Sequence, residues 1–114
     1  MTRVYKVLPS ADWEAACAKG QFDGAEVDMT DGFIHLSAGD QVAETLRRHF
    51  AGRTGLVLAA FDADALGPEL KWEPSRGGAL FPHLYRPLPT MAAGAVRPIP
   101  LRDDGAFDLD GFDL

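Results

Sequence analysis

The segment LKWEPSRGGALFPHLYRPLP, residues 70–89, decides the fold class, because its pattern predicts two short strands joined by a turn. Side chains alternate along a strand, so Lys71 and Glu73 share one face of the first one. Pro74 cannot donate a ladder hydrogen bond, and the first strand therefore ends at Glu73 or lies at a sheet edge. The segment thus favours a hairpin.

A glycine turn separates the two predicted strands. Gly77 and Gly78 supply the positive φ angles that residues with a Cβ resist. Residues 79–85 form the second strand, and alternation gives three of its side chains a common face: Phe81, His83 and Tyr85. The turn brings Glu73 and His83 towards each other, which suits a binding site. A packed hairpin whose histidine has a purely structural role is the alternative.

The chain before this hairpin begins with a predicted strand and helix. Residues 3–8 alternate, which places Lys6 on a face with two aliphatic side chains. Ser10 is a good N-cap for the helix that follows, and Gly20 ends that helix. Cys17 falls on the helical stripe that packs inward, which predicts an inert core thiol.

Two further stretches precede the middle of the chain. Residues 21–32 form a polar loop with Asp-Gly turn signals, and a connection of this length suits the rim of a ligand site. Residues 33–37 form a strand with Ile34 and Leu36 on one face. The other face carries an aromatic ring, an imidazole and a hydroxyl group: Phe33, His35 and Ser37. These groups suit a ligand cleft, whereas a satisfied histidine beneath a loop is the alternative.

The remaining elements complete the predicted domain. A helix over residues 39–50 carries an inward stripe that includes His49. An apolar run at 56–61 predicts a strand buried on both faces, and Pro98 places a last strand, 95–99, at a sheet edge. The order of elements lacks the regular helical crossovers of a doubly wound sheet, so it predicts a compact α+β fold with two helices.

Composition bounds the domain count and the function class. The 114 residues are 46% apolar, which suffices for a single domain with one core, and residues 103–114 form a loosely docked acidic tail. The formal net charge of −6 argues against a general nucleic-acid-binding surface. The single cysteine excludes an internal disulfide and a cysteine-rich zinc site. The absence of a membrane-spanning apolar run and of a signal-peptide pattern predicts a cytoplasmic protein with no membrane partner.

Five motifs carry a resemblance to a known family. They are Tyr5-Lys6 before an acid-Trp-Glu helix, Asp31-Gly32-Phe33-Ile34-His35-Leu36-Ser37, Gln41-Val42, Trp72-Glu73-Pro74 and Phe81-Pro82-His83-Leu84-Tyr85. Over nearly the whole chain they resemble the small bacterial family called domain of unknown function 952. The resemblance implies a split sheet, mixed or antiparallel, similar to that of the ADP-ribosyltransferases, which bind NAD.

The same resemblance implies where a site lies. Lys6, the strand 33–37 and Glu73 take the three site positions of that fold, with His35 where a tyrosine is usual. The implied catalytic residues are Glu73 and His35, and the implied substrate is NAD or another small nucleotide-like molecule. The ligand-binding residues predicted with them are Lys6, Phe33, Ser37, Arg76, Gly77, Gly78, Phe81, His83 and Tyr85.

Three functional hypotheses stay open. In the first, an ADP-ribosyl-transferring enzyme uses the Glu73 carboxylate to stabilise the positive charge that develops when the nicotinamide–ribose bond breaks. Lys6 and Arg76 then contact the pyrophosphate of NAD. In the second, a non-catalytic module binds a nucleotide or small metabolite in the same cleft. In the third, His35, His83 and Glu73 hold a metal ion, although their spacing matches no diagnostic motif.

Overall fold

A computed structural model describes residues 2–114, except for the side chain of Arg76. The strands are β1 (Arg3–Pro9), β2 (Gln21–Phe22), β3 (Ile34–His35), β4 (Ser37–Ala38), β5 (Leu56–Asp62), β6 (Leu70–Pro74), β7 (Leu80–Leu84), β8 (Leu88–Pro89) and β9 (Ala93–Pro98). The helices are α1 (Ser10–Lys19), α2 (Glu26–Asp31) and α3 (Val42–His49). Short 3-10 turns lie at Gly39–Gln41, Ala63–Leu66, Arg76–Gly78 and Thr90–Ala92.

The strands within residues 2–114 form a split antiparallel sheet. One part has four strands in the order β4-β1-β5-β9, and the other has three in the order β3-β7-β6, beside a β2-β8 pair. The split occurs at Leu36, because β3 pairs with β7 while β4 pairs with β1. The point at Leu36 where the chain leaves one sheet for the other is called the fork. The Leu36 N–H donates to the Pro82 carbonyl oxygen at 3.0 Å and so holds the fork against β7. The prediction of a compact α+β domain with a split sheet is confirmed, and its pairings are antiparallel rather than mixed. The described residues form three α-helices instead of the two predicted, because the short α2 lies in a stretch predicted to be a loop.

The four-stranded sheet separates two parts of the core. On one face, Val4 and Leu8 pack with residues of the three-stranded sheet such as Leu84. On the other face, Tyr5 and Val7 pack with the apolar stripe of α3. Strand β5 is almost entirely buried, as its apolar run predicts, because it lies between β1 and β9 and is covered on both faces.

The hairpin of the central segment forms as predicted. Strand β6 ends at Pro74 and pairs with β7, with Glu73 opposite Phe81. Gly77 and Gly78 have φ angles of 65° and 83°, which confirms the predicted left-handed turn. A Cβ at either glycine meets no described atom within 4 Å, so the requirement for glycine is conformational rather than steric.

Two details of the first helical region differ from the predictions. Helix α1 starts at Ser10 itself, so Pro9 takes the cap position and no side chain caps the helix there. The Ser10 N–H instead donates to the Gly55 carbonyl oxygen at 2.8 Å. Cys17 is exposed, because Ala16 is the residue of this turn that faces the core. Gly20 ends the helix in the left-handed conformation, as predicted.

Three other sequence predictions are wrong in part. Residues 21–32 are not one polar loop, because they contain β2 and the short helix α2, which ends at the left-handed Gly32. Residues 33–37 are not one strand, because the chain changes sheets in the middle. In α3, Val42 and Leu46 are buried as predicted, but His49 at the end of the helix is exposed.

The last strand forms an edge of the four-stranded sheet, and the acidic tail packs on the α3 face of that sheet. Strand β9 pairs with β5 at the edge of that sheet, as Pro98 predicts. Three apolar side chains of the tail pack against the core on the α3 side: Phe107, Leu109 and Phe112. Among the described residues no helix is long and apolar enough to cross a membrane.

Candidate functional site

A cleft of about 580 Å³ lies at the fork of the split sheet. Its walls come from β1, from β3 and the residues that follow it, from β7, and from the ends of α2 and α3. The sequence contains three histidines, and all of them line this cleft: His35, His49 and His83. Two of them, His35 and His83, are directly opposite each other on the paired strands β3 and β7.

Asp28 on α2 anchors the first histidine. Asp28 is 2% exposed, and its carboxylate accepts hydrogen bonds from Lys6 Nζ at 3.3 Å and from the Ala25 N–H at 2.7 Å. It also accepts from the His35 N–H at 3.0 Å and from His35 Nδ1 at 2.7 Å. Burial raises the pKa of Asp28, but the His35 ring, the Lys6 charge and the two backbone donors together lower this pKa to about 2.

Lys6 has a structural partner rather than a free charge. Its ammonium group donates to Asp28 and, at 2.9 Å, to the His35 carbonyl oxygen. Burial lowers the pKa of Lys6, and the Asp28 carboxylate offsets this effect only in part. Lys6 therefore lines the cleft, as predicted, but most of its charge is balanced by Asp28 instead of being available to a phosphate.

The His35 ring contacts a carboxylate at each of its nitrogens. Nδ1 meets Asp28 at 2.7 Å, and Nε2 meets the Asp31 carboxylate at 2.9 Å. A carboxylate only accepts hydrogen bonds, so both contacts require an N–H on the ring. The His35 ring thus lies between a buried acid and a half-exposed one, a geometry that a ring with N–H groups on both nitrogens satisfies.

His83 has a different environment. Its Nδ1 meets Glu73 Oε1 at 2.8 Å, and the Tyr85 hydroxyl donates to the same oxygen at 2.6 Å. The hydrogen bonds from Tyr85 and His83 lower the pKa of Glu73, and the carboxylate in turn raises the pKa of Tyr85. No described residue bonds to the Nε2 atom of His83. Because Nδ1 donates to the carboxylate, the neutral ring carries its lone pair on Nε2.

Phe33 packs the two histidines into one aromatic cluster. Its ring stacks on His83 with centroids 4.1 Å apart and also lies 4.6 Å from the His35 ring. The two imidazoles are 5.6 Å apart and almost perpendicular. Phe33 thereby holds both rings in place, which is the positional control that a catalytic site requires.

The structure places the predicted site residues in two groups. Five of them line the cleft: Lys6, His35, Ser37, Phe81 and His83. The Ser37 hydroxyl is hydrogen bonded to that of Thr45 at 3.0 Å. Glu73, Tyr85 and Phe33 are not among the described lining residues. Glu73 and Phe33 contact His83 directly, and Tyr85 contacts Glu73 and Phe33. The predicted site residues Glu73 and Tyr85 therefore lie beside the cleft rather than on its described wall, because Glu73 bonds to His83 and Tyr85 bonds to Glu73.

The predicted turn residues stand apart from the cleft. Gly77 and Gly78 are exposed, and neither is among the described residues that line it. Ser75, at the start of the turn, does line it. The side chain of Arg76, which was predicted to bind ligand, lies outside the described residues.

Sequence reasoning missed Asp28 and the role of Asp31. Both lie in the stretch that was predicted to be a loop. Asp28 has no recognisable spacing with Lys6 or His35, and Asp31 appeared only in an Asp-Gly turn signal and as the first residue of the motif that contains His35. The nearest signal was the run of acids and Asp-Gly pairs around residues 23–32. Residues 2–114 contain no cluster of three or more histidine, cysteine or acidic side chains that could hold a metal ion. His35 and His83 each bind their own carboxylate instead.

Comparison with protein families identifies this chain. A family model described as protein of unknown function (DUF952) matches residues 7–96. The chain belongs to this family, and the resemblance found in the sequence motifs is confirmed. A comparison with curated proteins gave no match.

Solved structures of one bacterial protein are similar to this chain. The crystal structure of protein CC0527 from Caulobacter crescentus is 52% identical over 95% of each chain, with a TM-score of 0.91. A double mutant of that protein is 50% identical over 95% of each chain, with a TM-score of 0.90. Its solution structure is 52% identical over 96% of this chain and 94% of the other, with a TM-score of 0.85.

Proposed function

We propose that this member of the DUF952 family is an enzyme that binds a small nucleotide-like molecule in the cleft and uses His83 as its general base. One observation carries the proposal. Glu73 holds Nδ1 of His83 at 2.8 Å, while Nε2 has no described partner and the ring lines the cleft. A carboxylate that orients an imidazole in this way fixes its tautomer and leaves the outer nitrogen ready to take a proton.

The charge of Glu73 supports this assignment. Its pKa is lowered by Tyr85 and His83, so the carboxylate stays ionised at neutral pH and stabilises the imidazolium that forms when His83 takes a proton. Phe33 on the ring face restricts the rotation of His83. In this proposal Glu73 is a positioning residue, and His83 is the residue that touches the substrate.

Shape and lining support a nucleotide-like ligand. The cleft volume of about 580 Å³ lies within the range of ordinary small-molecule sites. Phe22, Phe50 and Phe81 offer aromatic surface for a base, and Arg53 is a cation on the wall. We also propose that the split sheet is similar to that of the ADP-ribosyltransferases. A cytoplasmic location belongs to the same proposal, because nucleotides are abundant in the cytoplasm.

The NAD-cleaving hypothesis is a narrower version of this proposal. It requires the Glu73 carboxylate to act on the ribose directly. Glu73 supports that role by its ionised state and by a side chain that is 35% exposed. Its contacts with His83 and Tyr85 oppose it, because a substrate would have to displace one of them.

A ligand screen followed by turnover analysis tests the proposal. Thermal-shift measurements with NAD, ADP-ribose, AMP and dinucleotides should show stabilisation, which is about 2.7 kcal/mol for a ligand at a hundred times its dissociation constant. Mass spectrometry of the incubated ligands should then show turnover that falls by about 10²–10⁴-fold in His83→Gln. Asp23→Asn, an exposed acid on the α1 side, is the matched control. No stabilisation by any nucleotide at millimolar concentration refutes the proposal, and stabilisation without turnover identifies a binding module.

A further inference from the structure

We infer that His35 and His83 form an acid–base pair for phosphoryl transfer within a small ribonucleotide phosphodiester, with His83 as the base and His35 as the acid. The inference rests on the proposed function and adds the reaction class and the role of His35. The substrate is a phosphodiester that carries a hydroxyl group next to the phosphate.

The two imidazoles differ in their hydrogen bonding. Both nitrogens of His35 face carboxylates, which requires two N–H groups, whereas His83 has one carboxylate and one nitrogen without a described partner. One ring is therefore set up to give a proton and the other to take one. A pair of titratable groups in contrasting environments is the usual sign of an acid and a base that work together.

The distance between the rings suits a single reacting centre. His35 and His83 face each other across β3 and β7, with ring centroids 5.6 Å apart. Displacement at phosphorus is in line, so the attacking and leaving oxygens lie on opposite sides of the phosphorus atom and need separate proton carriers. In acyl transfer, by contrast, one histidine takes the proton and then returns it.

The sign of the charge separates phosphoryl transfer from NAD cleavage. In the ligand-free protein the Asp28 and Asp31 carboxylates balance the charges of Lys6 and of a His35 ring that carries both protons. When a substrate displaces the exposed Asp31, one positive charge is left at His35 without a partner. The oxygens of a phosphoryl transition state are negative and are stabilised there. Cleavage of a glycosidic bond develops positive charge on the sugar, which an imidazolium opposes.

The proposed step balances. His83 Nε2 takes the proton of the hydroxyl group, whose oxygen attacks phosphorus and forms a cyclic phosphodiester. The bond from phosphorus to the leaving oxygen breaks, and that oxygen receives the proton from His35 Nε2. Water can then reverse the roles: it gives a proton to His35, opens the cyclic ester, and the released ring oxygen recovers the proton from His83. No oxidant, reductant or further reactant is required.

In the ligand-free protein, the Asp31 carboxylate occupies the position at His35 Nε2 that we assign to an oxygen of the substrate. Its carboxylate accepts from the His35 Nε2 that delivers the proton, and its side chain is 44% exposed at the last position of α2. A phosphate or leaving oxygen can replace it without exposing a buried group. Removing its charge should therefore strengthen anion binding at His35.

Cleavage of adenylyl-(3′→5′)-adenosine tests the reaction class. The wild-type protein should release adenosine and the 2′,3′-cyclic phosphate, and it should leave the 2′-deoxy analogue intact because that analogue has no attacking hydroxyl. His83→Gln and His35→Gln should each lower the rate by about 10²–10⁴-fold. Each should also remove one limb of a bell-shaped pH–rate profile, which a merely structural role would not do. Asp23→Asn should match the wild type.

Asp31→Asn tests the role of His35 by a second route, which remains open if His35→Gln unfolds the protein. It should bind inorganic phosphate about fivefold more tightly than the wild type, the change expected when one nearby unit of like charge is removed in water. Unchanged or weaker phosphate binding overturns the role given to His35.

The outcomes separate this inference from the proposed function. Nucleotide binding with nicotinamide release from NAD, and no cleavage of the phosphodiester, refutes the inference and leaves the proposed function standing. Equal cleavage of the ribo and deoxy substrates also refutes it. No binding of any nucleotide refutes both.

Discussion

The two carboxylate–histidine pairs of this protein have nearly equal bond lengths and different surroundings. Asp28 holds Nδ1 of His35 at 2.7 Å, and Glu73 holds Nδ1 of His83 at 2.8 Å. The Asp28 side chain is 1% exposed and that of Glu73 is 35% exposed. The same interaction therefore belongs to the folded framework in one case and to an accessible site in the other.

The difference follows from what each carboxylate connects. Asp28 joins α2 to Lys6 on β1 and to His35 on β3, and both of its carboxylate oxygens accept hydrogen bonds from protein donors. Glu73 joins neighbours within one small sheet. A buried ion pair is costly to break, because the remaining partner keeps a buried charge without compensation. We therefore expect substitutions at Asp28 to change stability and substitutions at Glu73 to change chemistry.

The largest effect is expected for Asp28→Ala. It leaves the Lys6 ammonium buried without its counter-ion, so the free energy of unfolding should fall by about 3–5 kcal/mol. Urea denaturation followed by circular dichroism measures this. Lys6→Met in the same chain should recover part of the loss, since it removes the uncompensated charge. The comparison fails if Asp28→Ala leaves the unfolding midpoint close to that of Asp23→Ala, an exposed control.

Glu73→Gln should give the opposite profile. The amide keeps the size of the carboxylate but no longer stabilises the imidazolium of His83, so turnover of any substrate found in the screen should fall by about 10–100-fold. The melting temperature should change little, because the side chain is partly exposed and touches no buried charge. A large fall in melting temperature with normal turnover would show that Glu73 belongs to the framework after all.

The sequence predicted the Glu73 region far better than the Asp28 region. Strict alternation in residues 79–85 placed Phe81, His83 and Tyr85 on one face, and Pro74 and the two glycines fixed the turn. Such signals are local, so they can be read from one segment. The meeting of Glu73 with His83 needed only the hairpin register in addition.

The Asp28 region depends on contacts between distant segments. Asp28 pairs with Lys6, 22 residues earlier, and no local pattern specifies that partner. The acids and Asp-Gly pairs of residues 23–32 favoured a loop, yet packing against His35 and Lys6 stabilises a short helix there. Alternation also predicted one strand over residues 33–37, because a change of sheet at Leu36 leaves the periodicity intact. Tertiary pairing therefore decided what local propensity could not.

Lowering the pH should affect the stability contribution of Asp28 more than that of Glu73, as the substitutions do. The pKa of Asp28 is about 2 when folded, below its ordinary value of 3.8, so its carboxylate stabilises the fold above about pH 4. That contribution, about 2 kcal/mol, should be lost as the pH falls from about 4 to about 2. Urea denaturation across this range should show a steeper loss for the wild type than for Asp28→Asn. Equal slopes in the two proteins would contradict the buried-acid assignment.

The smallest effect is expected at the outer edge of the second pair, for Tyr85→Phe. The Tyr85 hydroxyl donates to Glu73 at 2.6 Å and is the main cause of the lowered pKa of that carboxylate. Its loss should let the pKa of Glu73 rise, so turnover should begin to fall at a higher pH than in the wild type while the neutral-pH rate and the melting temperature stay nearly unchanged. The reciprocal shift gives a second measurement, because the ionised Glu73 raises the pKa of Tyr85 and Glu73→Gln should bring it back towards 10. Nuclear magnetic resonance titration of ring-labelled tyrosine follows that shift directly. A Tyr85 that titrates at the same pH with and without the Glu73 charge would show that the hydrogen bond between them is not made in solution, and His83 would then be oriented by Glu73 alone.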